Sequence, residues 1–234
     1  MQKHCFLITS AINTKFGVYT TEQRLAQTLD TIKSVRKHAP DAKVFLVELA
    51  GLPLSEDQKQ IILANVDQLV DLSHDQDVID IFNSTENWDI VKNTTEVMGF
   101  ARALEQFDFT GVDRVFKISG RYTLSDEFDI SRFEKLAGRI VVAKRRSSQF
   151  GPGVTGGIPL QYMSRLWSWP ADKTETVIEM YNTGLVHIAQ VLSAGGYCDI
   201  EHMLFGFLPV DLVTEVERIG IQGNIAPNGQ AVVD

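Results

Sequence analysis

Val112–Tyr122 reads V-D-R-V-F-K-I-S-G-R-Y. Val115, Phe116 and Ile118 make a short apolar run of β-branched and aromatic character, which predicts a strand buried in a sheet. The run stops at Ser119-Gly120 and hands over to the polar pair Arg121-Tyr122. In an open α/β sheet ligands gather at the carboxyl ends of strands, where loops converge over a crevice. Gly120 would let a backbone approach a ligand closely, and Arg121 offers phosphate a planar fork of donors. The same residues also fit a plain turn with a surface arginine.

Working outward toward the amino end, residues 5–12 (CFLITSAI) predict a first strand, and a polar loop follows from Asn13 to Tyr19. Leu25, Leu29, Ile32 and Val35 then recur at helical spacing, with Thr20 or Thr21 as cap and His38-Ala39-Pro40 as stop. Lys43–Glu48 predicts the next strand. Strand, helix and strand in this order form a right-handed parallel βαβ unit. The loop after the first strand carries neither G-x-G-x-x-G nor a Walker lysine, which argues against a dinucleotide fold and a P-loop. Thr9, Ser10 and Arg24 could meet a base and a phosphate there, or serve as a cap and a solvated arginine. Asp67–Leu72 predicts a third strand. After it, Asp75 and Asp77 form an Asp-x-Asp pair that suits either a divalent cation or a helix cap. Residues 90–107 predict an amphipathic helix.

Toward the carboxyl end, Arg139–Ala143 predicts a strand that runs into the basic cluster Lys144-Arg145-Arg146, a solvated patch or an anion site. Gln149–Gly157 is a glycine-rich loop and a plausible lid. Trp167 and Trp169 suit sugar stacking if exposed, or a packed core. The longest helical pattern spans Thr174–Ala194. Asp199, Glu201 and His202 then open a short apolar helix, with Asp199 as cap and Glu201 in its first turn. A carboxylate there can act as a general base, and His202 can bind metal or phosphate; a capping box with a surface histidine fits the same residues equally. A strand at Val216–Gly220 and a closing loop at residues 223–234 complete the chain.

The 234 residues suffice for one substantial core. A net charge of -8 argues against bulk nucleic-acid or anionic-membrane binding. No stretch has the length of a membrane span, and the amino end lacks a signal-peptide core, so a cytoplasmic protein is expected. Cys5 and Cys198 follow no ligand spacing and read as buried thiols.

Taken together, T-S-A-I at the first strand, R-x-x-Q-T-x-x-T-I-x-S-V-R from Arg24 to Arg36, the helix around Lys92–Leu104, F-K-I-S-G-R-Y and D-I-E-H resemble a small GT-A-type glycosyltransferase. The K-I-S-G-R-Y segment resembles that of bacterial and viral sugar transferases of lipopolysaccharide or glycan assembly. The resemblance implies a single GT-A-like α/β domain with a mostly parallel sheet, residues 1–122 binding a nucleotide sugar, UDP-linked by expectation, and 123–234 facing a glycan acceptor. It places Thr9, Ser10, Ala11, Arg24, Lys92, Ser119, Gly120 and Tyr122 at the donor. Arg121 would stabilise the diphosphate, Glu201 would be the base with Asp199 second, and Lys144, Arg145 and Trp167 would lie at the acceptor or lid. Most GT-A enzymes carry Asp-x-Asp where this chain has Ser-Gly-Arg. The arginine would then replace Mn²⁺ or Mg²⁺, or Asp199 and His202 would hold a metal instead. No bound organic cofactor is implied. An inactive carbohydrate-binding module and a metal-dependent nucleotidyltransferase are the competing classes.

Overall fold

The computed structural model describes residues 3–225 and 229–234. Strand β1 (His4–Ser10), helix α1 (Thr21–His38) and strand β2 (Lys43–Glu48) form the expected parallel unit, with Phe6 beside Val44. Thr20 starts α1 through a reciprocal capping box with Gln23. Next come α2 (Glu56–Leu63), β3 (Gln68–Asp71), α3 (Gln76–Ser84), α4 (Trp88–Gln106) and β4 (Arg114–Ser119). The second half adds β5 (Tyr122–Leu124), α5 (Ile130–Glu134), β6 (Ile140–Ala143), β7 (Arg146–Ser147), β8 (Leu160–Gln161) and β9 (Leu166–Pro170). The chain finishes with α6 (Thr174–Ser193), α7 (Ile200–Phe207), β10 (Val213–Val216), β11 (Ile221–Asn224) and β12 (Ala231–Val233).

The central sheet has seven strands in the order β10-β6-β9-β4-β1-β2-β3, all parallel except β9. Side chains alternate across it, so each strand feeds two cores. Leu7, Phe45, Val115 and Trp167 pack on the side of α4, α6 and α7. Phe6, Val44, Phe116 and Ile118 pack on the side of α1, α2 and α5. Both cysteines are free and buried. Among the described residues, no helix is long and apolar enough to cross a membrane.

Three expectations are corrected. Trp167 and Trp169 lie two residues apart on β9, so both point into one core, where neither is exposed at all. Their rings sit 4.7 Å apart beside Phe100 and Tyr181. Trp167 therefore faces no acceptor. The late strand is Val213–Val216 rather than Val216–Gly220; Gly220, at φ 87°, turns the chain away from the sheet. Residues 223–234 are not one loop, because β11 and β12 pair as a hairpin that joins β5 in a second, three-stranded sheet. Residues 226–228 of the expected loop lie outside the described residues.

Candidate active site

A cavity of about 300 Å³ opens at the carboxyl ends of β1 and β4. Its floor is Thr9, Ser10 and Ala11 at the end of β1, with Ser119, Arg121 and Tyr122 at and just beyond the end of β4. One wall is a stripe of α4 at helical spacing: Trp88, Val91, Lys92, Thr95 and Glu96. Ser164, Arg165 and Glu201 face it, so both halves of the chain contribute. Phe16, Leu49, Ala50 and Phe82 line an apolar end, and Ile225 from the terminal hairpin also borders the space.

Among the described residues, two of the cations here have charged groups that make no hydrogen bond or ion pair. Neither Lys92 nor Arg121 makes an ion pair or side-chain hydrogen bond among the described residues. Arg121 rests 5.9 Å from the Tyr122 ring centroid, and its Nε is buried without an acceptor. Burial works against the charge on Lys92, but the nearby Glu201 and Glu96 outweigh it and raise its pKa, so it stays an ammonium. Beneath the floor, the fully buried Lys117 donates to Glu96 at 3.2 Å, Ser119 Oγ at 2.7 Å and the Ser164 carbonyl at 2.8 Å. This ties β4, α4 and the Ser164 loop into one rigid wall.

Glu201 sits in the first turn of α7 and accepts a 2.5 Å hydrogen bond from Ser164 Oγ. Burial and the Asp199 carboxylate raise its pKa, opposed by Lys92 and that hydrogen bond. A half-buried carboxylate of raised pKa beside an open cavity is suited to taking a proton. Asp199 is employed differently. It caps α7 through the His202 backbone at 3.0 Å, accepts from the Tyr197 hydroxyl at 3.0 Å, and bonds the His202 ring at 2.6 Å. His202 Nε2 meets Ser148 Oγ at 2.8 Å, so both ring nitrogens are engaged.

Thus Thr9, Ser10, Ala11, Arg24, Lys92, Ser119, Arg121, Tyr122 and Glu201 share one cavity, and the remaining expectations fall elsewhere. Arg24 lines it but is turned to the backbone, donating to the carbonyls of Phe16 and Ala11 at 2.8 and 3.3 Å. Gly120 serves packing: a Cβ there would come within 3.1 Å of Thr28 Oγ1 and the Thr9 carbonyl. Lys144 and Arg145 are exposed, paired with Glu217 and Glu215, and lie off the cavity. Asp75 caps α3, and with Asp77 it grips Arg102. That leaves no open carboxylate pair. Replacing both aspartates with alanine should cost about 1–2 kcal/mol, mainly from the lost cap, and leave nucleotide affinity unchanged. Urea unfolding and calorimetry would check the two halves of that statement.

Sequence reading passed over Glu48, Glu96, Lys117, Ser164 and Arg165. Glu48 and Lys117 each interrupt an apolar strand, and a charge in that position calls for buried partners. Glu48 accepts from Ser10 Oγ at 2.6 Å and from the Ile12 and Ala50 backbones at 2.9 and 3.1 Å, binding the β1 and β2 loops together. Burial nevertheless pushes its pKa from 4.5 up to about 7. A raised carboxyl stabilises the fold fully below about pH 4.5, and that contribution is lost as pH rises through about 7. The stability difference between wild type and Glu48→Gln should therefore shift by on the order of 3 kcal/mol against wild type from pH 5 to pH 8, as urea unfolding would show.

No family model matches the sequence, and no curated protein does. Among solved structures, core-mannan synthase A (CmsA/Ktr4) from Aspergillus fumigatus, in its Mn/GDP form, superimposes with a TM-score of 0.56 at 9% identity, covering 95% of this chain and 74% of that one. The fold is GT-A-like. At that identity the likeness shows architecture alone. Within this GT-A-like frame the donor set does not suit a divalent ion. Ser119-Gly120-Arg121 stands at the end of β4, Asp199 and His202 are bound to each other, and among the described residues no group of three or more His, Cys, Asp or Glu is arranged to hold a metal.

Proposed function

We propose that this chain is a glycosyltransferase that moves a hexosyl group from a nucleoside-diphosphate sugar to a hydroxyl of a glycan or lipopolysaccharide-type acceptor. The observation that carries the reading is that Arg121 and Lys92, neither of which makes an ion pair or side-chain hydrogen bond among the described residues, share one cavity with the raised carboxylate Glu201. Two half-buried cations that converge on one cavity, neither held in an ion pair, can both donate to a diphosphate. Residues 1–122 supply most of the donor side. The apolar end beside Phe16 and Phe82 would take the base, and Arg121 and Lys92 the diphosphate.

In the transfer, the acceptor oxygen bonds to the anomeric carbon while the bond from that carbon to the diphosphate oxygen breaks. Glu201 takes the acceptor's proton, as an inverting route requires, and Arg121 with Lys92 meets the charge that develops on the departing nucleoside diphosphate. One guanidinium and one ammonium thereby supply the positive charge that a divalent ion would otherwise bring to the diphosphate, and no step here runs through a metal. UDP is the nucleotide we favour, with GDP, the one named for that structure, as the comparison.

The test is nucleotide release. Incubation with UDP-glucose, UDP-galactose, UDP-N-acetylglucosamine and GDP-mannose should liberate UDP or GDP from one donor, followed by ³¹P NMR. Tight nucleotide binding with no turnover of any sugar nucleotide and any added glycan would favour a binding module instead.

A further inference from the structure

Residues 162–165 join β8 to β9, and they fasten the end of β4 to the first turn of α7. On the β4 side, the Ser119 amide donates to the Arg165 carbonyl at 3.0 Å, and Lys117 Nζ donates to the Ser164 carbonyl at 2.8 Å. On the α7 side, the Tyr162 amide donates to the Glu201 carbonyl at 3.1 Å, and Ser164 Oγ donates to Glu201 Oε1 at 2.5 Å. One short segment therefore holds Glu201 both at its backbone and at one carboxylate oxygen. Ser164 is only 6% exposed, and the ammonium on its carbonyl is fully buried and anchored on Glu96 and Ser119. The other carboxylate oxygen of Glu201, Oε2, accepts no hydrogen bond among the described residues.

We infer that Ser164 is the positioning residue of the base: it fixes Glu201 through Oε1 and leaves Oε2 to receive the acceptor's proton. This rests on the transferase reading above. The last torsion of a glutamate is broad, so a carboxylate held at neither oxygen turns freely. A base must instead lie within hydrogen-bond reach of the proton it takes, and a small misplacement is costly in rate. Lys117 keeps the serine in place from behind, through its backbone. The same hydroxyl also favours the ionised carboxylate, against the burial and the Asp199 charge that favour the neutral form.

Carboxyl ¹³C NMR of the whole chain, with Glu201→Gln to assign the signal, reads the ionisation of Glu201 without any substrate. Ser164→Ala should move its midpoint upward by about one pH unit, the loss of one hydrogen bond to the charged form. Ser164→Thr, which keeps the hydroxyl, should stay near wild type. With the sugar nucleotide that the wild type turns over, Ser164→Ala should lower kcat on the alkaline plateau about tenfold, while the donor KM changes by less than about twofold. Measuring on the plateau separates orientation from ionisation. A midpoint that stays in place in Ser164→Ala, one that moves as far in Ser164→Thr, or an unchanged plateau kcat would overturn the assignment and leave the transferase reading intact. Absence of turnover by the wild type with every sugar nucleotide would remove both.

Discussion

Replacing Arg121 with alanine is expected to weaken nucleoside-diphosphate binding roughly 10- to 100-fold, the loss of one or two charge-assisted hydrogen bonds. The reasoning starts from what Arg121 does without a ligand. It pairs with no carboxylate among the described residues, so its removal breaks no ion pair and the fold should persist. Its neighbours are the Tyr122 ring and the open cavity. Arg121→Lys keeps the charge but loses the planar fork, and should fall between wild type and alanine. Arg145→Ala, at an exposed arginine paired with Glu215, should change nothing and serves as the control for bulk charge. Calorimetric titration of the three variants with UDP and GDP reads all of this. An unchanged affinity in Arg121→Ala would remove the diphosphate from this strand end.

The second large effect concerns Glu201. Glu201→Gln should lower kcat by about 10²- to 10⁴-fold with donor affinity close to wild type, because the amide keeps the Ser164 hydrogen bond but cannot accept a proton. Since burial and Asp199 raise its pKa, the acid limb of the wild-type rate profile should lie above the ordinary glutamate range and vanish in the variant's residual activity. Asp199→Asn should behave differently. Asp199 caps α7 and holds His202 and Tyr197, so its loss should appear first as reduced stability in urea. A profile whose acid limb disappears in Asp199→Asn and survives in Glu201→Gln would exchange their roles.

The frame of the fold was legible because its signals are local. The apolar run of β4, the 3.6-residue spacing of Leu25, Leu29, Ile32 and Val35, and the capping residue Thr20 each announce their element without help from the rest of the chain. β9 escaped because L-W-S-W-P is short, follows a glycine-rich loop, and enters the sheet antiparallel between strands distant in sequence. Nothing within five residues records that pairing. In the site, residues at strand ends were visible, since topology sends those ends to a crevice. The α4 stripe was half visible: Lys92 came through the resemblance, while Thr95 and Glu96 fall between the apolar positions of the helix expected at 90–107 and Trp88 lies before its start. Lys144 and Arg145 looked like an anion site because sequence cannot show Glu217 and Glu215 facing them from β10 and just beyond it. Likewise Asp75-x-Asp77 resembles a metal pair until Arg102, a turn-rich helix away, is brought against it.

Calorimetric titration of the wild-type chain with UDP and GDP in EDTA, repeated with Mn²⁺, bears most directly on the claim that side-chain cations hold the donor diphosphate. The account predicts saturable binding of one nucleotide in EDTA, with little change when Mn²⁺ is added. Binding that begins only with Mn²⁺ would contradict it.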